Sequence, residues 1–251
     1  MIIAGLASVT FRGRAVDEVV DLVADAGLGA VEWGADVHVP PGDPARAARV
    51  AELCRVRGLV IGTYGSYYKA GRGDPAEFAA VLDSAEALGA PRVRVWAGVR
   101  GSAETGPAER ARITDDLRRC AELAAGRGIA VTAEHHACSL TDDLASALRL
   151  LDEVDGLVAH WQPKASPEVA ACLAEVTALL PRLAAVHAFS WGSGGYTDRL
   201  ALAERADLWR PLLALLAEDG RDRHVVLEFV ADDSPESMRR DAAALLAWLG
   251  A

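Results

Sequence analysis

A chain of 251 residues, 51% of them hydrophobic, suffices for one substantial core and hardly for two. Its formal net charge of −10, with Lys and Arg dispersed, argues against non-specific binding to phosphate backbones, which needs basic patches. No apolar run is long enough to cross a bilayer, and the opening Met1-Ile-Ile-Ala-Gly-Leu6 lacks the basic region of a signal peptide, so the expected location is the cytoplasm, away from membranes and nucleic acid.

Eight short apolar runs punctuate the chain, at residues 2–8, 30–34, 59–64, 92–97, 129–134, 157–162, 184–189 and 224–230. Between them apolar residues recur at helical spacing, from Val16, Val19, Val20 and Val23 to Leu245, Leu246 and Leu249. Asp43-Pro44, Asp74-Pro75, Ser166-Pro167 and Ser234-Pro235 each place an N-cap residue before a proline at the first helical position. Thr141, Asp142 and Asp143 do the same for the fifth helix, and Gly27, Gly58, Gly89, Gly128 and Gly220 fall where helices stop. This alternation over about 250 residues predicts an α/β fold, a single-domain (β/α)8 TIM barrel over residues 1–251. A doubly wound sheet is the alternative, but the turn after the first strand, Ser8-Val-Thr-Phe-Arg-Gly-Arg14, has no GxGxxG. Cys54, Cys120 and Cys172 read as buried thiols of predicted helices, Cys138 as a candidate functional thiol, and disulfides are not expected.

Successive strand residues face opposite sides, so parity sorts the polar groups. On the fifth strand Thr132, Glu134 and His136 share one face and Val131, Ala133 and His135 the other. The same parity places Glu32, Arg94, His160, Gln162 and Glu228 inside the barrel, joined by His187 from the seventh strand. So many interior polar groups need partners or a use. Strands five to eight supply Glu134, Gln162, His187 and Glu228, a donor set that suits one divalent ion such as Mn2+, Mg2+ or Co2+. Such an ion polarises a carbonyl, and the two glutamates can exchange a proton with the carbon beside it. No organic cofactor is expected.

At these residues the chain resembles the sugar phosphate isomerase/epimerase family, the xylose isomerase-like TIM barrels. The resemblance runs through Val31-Glu-Trp33, Val93-Arg-Val-Trp-Ala-Gly98, Ala133-Glu-His-His136, Trp161-Gln-Pro163, Val186-His-Ala-Phe189 and Leu227-Glu-Phe-Val230. It implies one divalent metal held by the last four strands, with Glu134 and Glu228 as acid/base pair and His187 as a ligand. The chain departs from the family at Gln162, where an aspartate is usual; an amide oxygen brings no charge and binds hard cations less strongly.

Further residues are candidate substrate contacts. His38 lies in the proline-held loop after strand two, His136 follows Glu134, and Arg94 is interior. Trp96 and Trp191 can stack on a sugar face, the latter in the Gly-rich loop Ser190-Trp-Gly-Ser-Gly-Gly-Tyr196, and Lys164 can meet an anionic group. Bland readings stand beside these: Glu134 and Glu228 as carboxylates bridged to interior arginines, Glu32 paired with Arg94, His187 and Gln162 as core hydrogen-bonding groups, the tryptophans as core and Lys164 as a solvated loop residue. The expected function is an isomerase of carbohydrate metabolism, epimerising or isomerising a small ketose or sugar-like hydroxy-ketone through an enediolate. An inosose-type dehydratase on the same site and a non-catalytic sugar-binding barrel are the alternatives. The partner is a small sugar substrate, and self-association into a homo-oligomer stays open.

Overall fold

The computed structural model describes residues 1–164 and 168–250. Among the described residues there are ten strands and eight α-helices. The strands are β1 (Ile2–Ala7), β2 (Ala30–Gly34), β3 (Val60–Lys69), β4 (Arg92–Trp96), β5 (Ala130–Glu134), β6 (Val158–Trp161), β7 (Leu183–Ala188), β8 (Ser190–Trp191), β9 (Arg199–Leu200) and β10 (Arg223–Leu227). The helices are α1 (Val16–Asp25), α2 (Pro44–Val56), α3 (Pro75–Leu88), α4 (Pro107–Ala125), α5 (Leu144–Glu153), α6 (Val169–Leu179), α7 (Ala206–Asp219) and α8 (Pro235–Leu249). Eight strands follow the hydrogen-bonded order β1-β10-β7-β6-β5-β4-β3-β2 and close a barrel, the predicted (β/α)8 class. None of the described helices is long and apolar enough to cross a membrane.

The chain forms two compact units. The first comprises Met1–Glu32, Leu53–Val60 and Trp161–Ala251. Here β1 pairs in parallel with β10, from Ile2↔Arg223 to Leu6↔Leu227, and with β2, from Gly5↔Ala30 to Ala7↔Glu32. Gly5 permits that approach, since a Cβ there would meet the Ala30 carbonyl oxygen at 2.6 Å. β10 continues onto β7, with Val226 opposite His187. Val19, Val20 and Val23, the face read from spacing, are buried. β8 and β9 form a small antiparallel ribbon beyond β7.

The second unit comprises Trp33–Glu52 and Ile61–His160. β4 pairs with β5 from Arg92↔Ala130 to Val95↔Ala133, and β5 with β6 from Thr132↔Val158 to Glu134↔His160. β3 runs five residues past the expected Tyr64, because Gly65-Ser66 resembles a turn but is a mid-strand irregularity. Its pairing with β4 shifts register between Gly65 and Lys69, and Tyr67 takes a left-handed φ of 57°.

The helix signals have specific outcomes. Asp74 caps α3 by accepting from Ala76 N (2.8 Å), Ser234 caps α8 by accepting from Ser237 N (3.1 Å), and α2 starts at Pro44. The Ser166-Pro167 signal falls outside the described residues. For α5 the cap is Asp143, which accepts from Ser146 N (3.0 Å), while the Thr141 hydroxyl donates to the Glu134 carbonyl oxygen. Thr141 therefore braces the end of β5 rather than opening a helix.

Cys54, Cys120 and Cys172 are buried and Cys138 is exposed. Burial pushes the Cys120 thiol up to about 12 and Cys172 up to about 11. Native protein is accordingly expected to take up one equivalent of a maleimide rapidly, at Cys138, and three more only after unfolding. Mass spectrometry of the labelled peptides checks this; rapid labelling of Cys120 would contradict the packing.

Candidate active site

In the second unit Glu134 ends β5 and stands at the centre of a polar and aromatic cluster. Its Oε2 accepts from the Arg94 guanidinium and from Trp96 Nε1, both supplied by the neighbouring β4. Arg94 is register partner to Thr132, two residues before Glu134, and Trp96 lies two further along the same face, so the pleat delivers both donors. Glu134 is 4% exposed and Arg94 2%, so the pair is taken out of water. The reading of Glu134 as a carboxylate bridged to an interior arginine thus describes part of its environment.

His136 stacks on Trp96, with ring centroids 4.6 Å apart and 24° between planes. Its Nδ1 accepts from Cys138 N at 3.3 Å. Burial holds its pKa below the usual histidine range; Glu134 opposes that shift, and Arg94 and Lys69 reinforce it. Tyr67 sets its ring edge against Trp96 (5.9 Å, 72°), and the Lys69 ammonium lies 5.0 Å from the Trp96 ring centroid. The structure brings Arg94, Trp96, Glu134 and His136 together. Tyr67 and Lys69 were missed, although Tyr67-Tyr68-Lys69 following an apolar run was a signal for a longer strand. His38 is buried, with its ring edge on Trp33 (5.5 Å, 70°). His160 is fully buried on β6.

In the first unit His187 is the hub. It is fully buried on β7. Its Nε2 lies 3.1 Å from Glu32 Oε1, and its Nδ1 lies 3.2 Å from Gln162 Oε1 and 3.3 Å from Glu228 Oε2. Gln162 directly follows β6 and Glu228 directly follows β10, both at C-terminal strand ends. Three of the four predicted ligands therefore meet, and Glu32 joins them through the far ring nitrogen.

This arrangement tests the metal expectation. A neutral imidazole has one N–H and one lone pair. If Nε2–H donates to Glu32, the Nδ1 lone pair faces the oxygens of Gln162 and Glu228. Turning the Gln162 amide would offer an N–H there, yet leave Glu228 Oε2 facing the same nitrogen. A second ring proton, with the imidazolium between Glu32 and Glu228, removes that opposition, and so would a cation among Gln162 Oε1, His187 Nδ1 and Glu228 Oε2, with Glu32 then fixing the tautomer as carboxylates behind metal-binding histidines do. The donor set fits a divalent ion.

The remaining candidates lie elsewhere in the first unit. Trp191 stacks on Phe189 (4.2 Å, 25°) and meets Tyr196 edge-on at 5.8 Å. Arg199 lies 4.3 Å from the Tyr196 ring and 5.0 Å from that of Phe229, so Trp191 belongs to an aromatic cluster around the ribbon. The ammonium of Lys164, expected to meet an anionic group, sits 3.8 Å from Glu175 of α6, whose other oxygen accepts from Trp161 Nε1 at 3.0 Å. Its side chain is 54% exposed.

Comparisons with known proteins agree with this architecture. A stretch of 64 residues, 26% of this chain, is 41% identical to the 3-dehydroshikimate dehydratase of Bacillus anthracis; the matched stretch spans 23% of that relative. Among solved structures, the probable 3-DHS dehydratase AsbF involved in petrobactin synthesis from Bacillus anthracis superposes with a TM-score of 0.81 at 18% identity, covering 98% of both chains. The D-allulose 3-epimerase of Methylomonas sp. gives 0.72 at 15% identity, over 98% of this chain and 97% of that one. A protein from Mycobacterium smegmatis in complex with magnesium gives 0.72 at 14% identity, over 98% and 96%. Residues 20–249 match the family model described as xylose isomerase-like TIM barrel, and the chain belongs to that family.

Proposed function

We propose that this chain is an enzyme that removes the proton beside the carbonyl of a small polyhydroxylated ketone. The observation that carries the reading is the convergence of Gln162, Glu228 and Glu32 on His187 (3.1–3.3 Å). Glu134, held by Arg94 and Trp96 at the end of β5, supplies the second carboxylate. Gln162, His187 and Glu228 would hold a divalent ion, with Glu134 as a further ligand in this reading. When bound, that ion supplies positive charge to polarise the substrate carbonyl. One of Glu134 and Glu228 takes the α-proton and the other handles the proton that completes the reaction. The Trp96–His136 stack offers a flat apolar face to a ring, with the His136 imidazole favoured in its neutral form.

Two outcomes follow from the same first step. In dehydration the second carboxyl group protonates the departing β-hydroxyl, which leaves as water; the 41% identity to a 3-dehydroshikimate dehydratase favours this outcome. In epimerisation the proton returns to the opposite face of the same carbon, a role for which Glu134 at the end of β5 and Glu228 directly after β10 are the two carboxylates. Incubation with 3-dehydroshikimate or D-fructose in deuterated water containing Mn2+ separates the two. Dehydration is expected to yield an ultraviolet-absorbing dihydroxybenzoate from the first compound; epimerisation would instead put deuterium into a 3-epimer of the second. Absence of product and of α-hydrogen exchange with both would sink the proposal.

A further inference from the structure

We propose that the tail of β3 forms a subsite for a carboxylate on the substrate, with Lys69 as its contact residue and Trp96 as its floor. The inference rests on the reading that Glu134 acts on a hydroxy-ketone, and it narrows the substrate to an acidic one.

The register of β3 carries the argument. Gly65 pairs with Arg94, so an undisturbed strand would set Tyr67 opposite Trp96. The shift between Gly65 and Lys69 inserts two residues, and Lys69 takes that position instead. The backbone achieves this by holding Tyr67 at a φ of 57°, a conformation that is strained for a non-glycine residue. Irregularities of this kind re-aim side chains beside functional sites. Here the result is an ammonium 5.0 Å from the centroid of the indole whose Nε1 donates to Glu134.

The charges around that ammonium point the same way. Arg94, the neighbouring cation, is committed to Glu134. Among the described residues Lys69 has no carboxylate within 4.0 Å, although the chain carries ten more acidic than basic residues. Only two of the 26 Lys and Arg residues are lysines. The other, Lys164, sits 3.8 Å from Glu175. A compact, exposed ammonium with three donors, 5.0 Å from the centroid of the indole that meets the proposed reacting carboxylate and without an internal counter-ion, suits a small external anion. One such cation matches a carboxylate; a phosphate dianion ordinarily takes several donors at once.

Calorimetric titration with shikimate and its neutral methyl ester tests the subsite without requiring turnover, using wild-type protein, Lys69→Met and Lys69→Arg. The wild type is expected to bind shikimate about tenfold more tightly than the ester, the lower end for a hydrogen bond to a charged group. Lys69→Met should bind both equally, and Lys69→Arg should keep most of the preference. Equal binding of acid and ester by the wild type, failure to bind shikimate, or a preference that survives in Lys69→Met would overturn the subsite. Preference without turnover of any ketone would leave the subsite standing and remove the proposed reaction.

Discussion

Glu134→Gln is expected to lose turnover by at least about 10²-fold, the lower bound for removing a positioned acid/base group. It should also lose stability by about 3–5 kcal/mol, because it removes the charge from one side of a buried pair. Arg94 and Glu134 have side chains only 3% and 5% exposed, and the guanidinium shares the carboxylate with Trp96 Nε1. A neutral amide keeps the shape and removes the carboxylate charge from beside the guanidinium. Arg94→Met should destabilise comparably by stranding the carboxylate, and the double variant should recover part of the loss. Urea unfolding of the four proteins gives the coupling, and turnover is compared at temperatures where all are folded. If Glu134→Gln retained full turnover and full metal content, the carboxylate would be structural alone.

The second large effect is expected at Glu32. In Glu32→Ala the His187 ring loses the acceptor 3.1 Å from Nε2, and with it the contact that favours an unprotonated Nδ1 towards Gln162 and Glu228. Losing such a partner costs about 10–100-fold in metal affinity. Mn2+ titration followed by electron paramagnetic resonance should show that loss, with partial recovery in Glu32→Gln, whose amide oxygen still accepts. Mn2+ should raise the unfolding temperature of the wild type more than that of Glu32→Ala, since a ligand stabilises in proportion to its occupancy of the folded state. Unchanged affinity in Glu32→Ala would mean that the tautomer is set elsewhere.

The barrel was legible because its punctuation is local. Proline after an N-cap residue marked α2, α3 and α8 from a dipeptide each, and strand parity needed only alternating residues around Arg94 and Glu134. Parity also put Gln162 and Glu228 among the residues expected inside, and His187 joined them from the seventh strand. It could not choose partners: whether an interior carboxylate meets an arginine or a histidine depends on strand stagger, which adjacent residues do not encode. Thus Glu134 took Arg94 and Trp96, while Glu32 took His187. Lys69 was hidden for a related reason. Gly65-Ser66 looks like the end of a strand, and only pairing with β4 reveals that the chain continues through an irregularity.

The turn after β10 holds Phe229, Asp232 and Asp233 at positive φ, directly after Glu228, and Phe229 N donates to Thr10 Oγ1 at 3.2 Å. Glycine adopts such a conformation without the penalty. Selection for heat resistance alone would favour replacing these residues, whereas selection for turnover would oppose any change that frees the glutamate beside them. The two pressures collide within a few residues, so directed evolution of this chain should reach durable variants and active variants by different mutational routes.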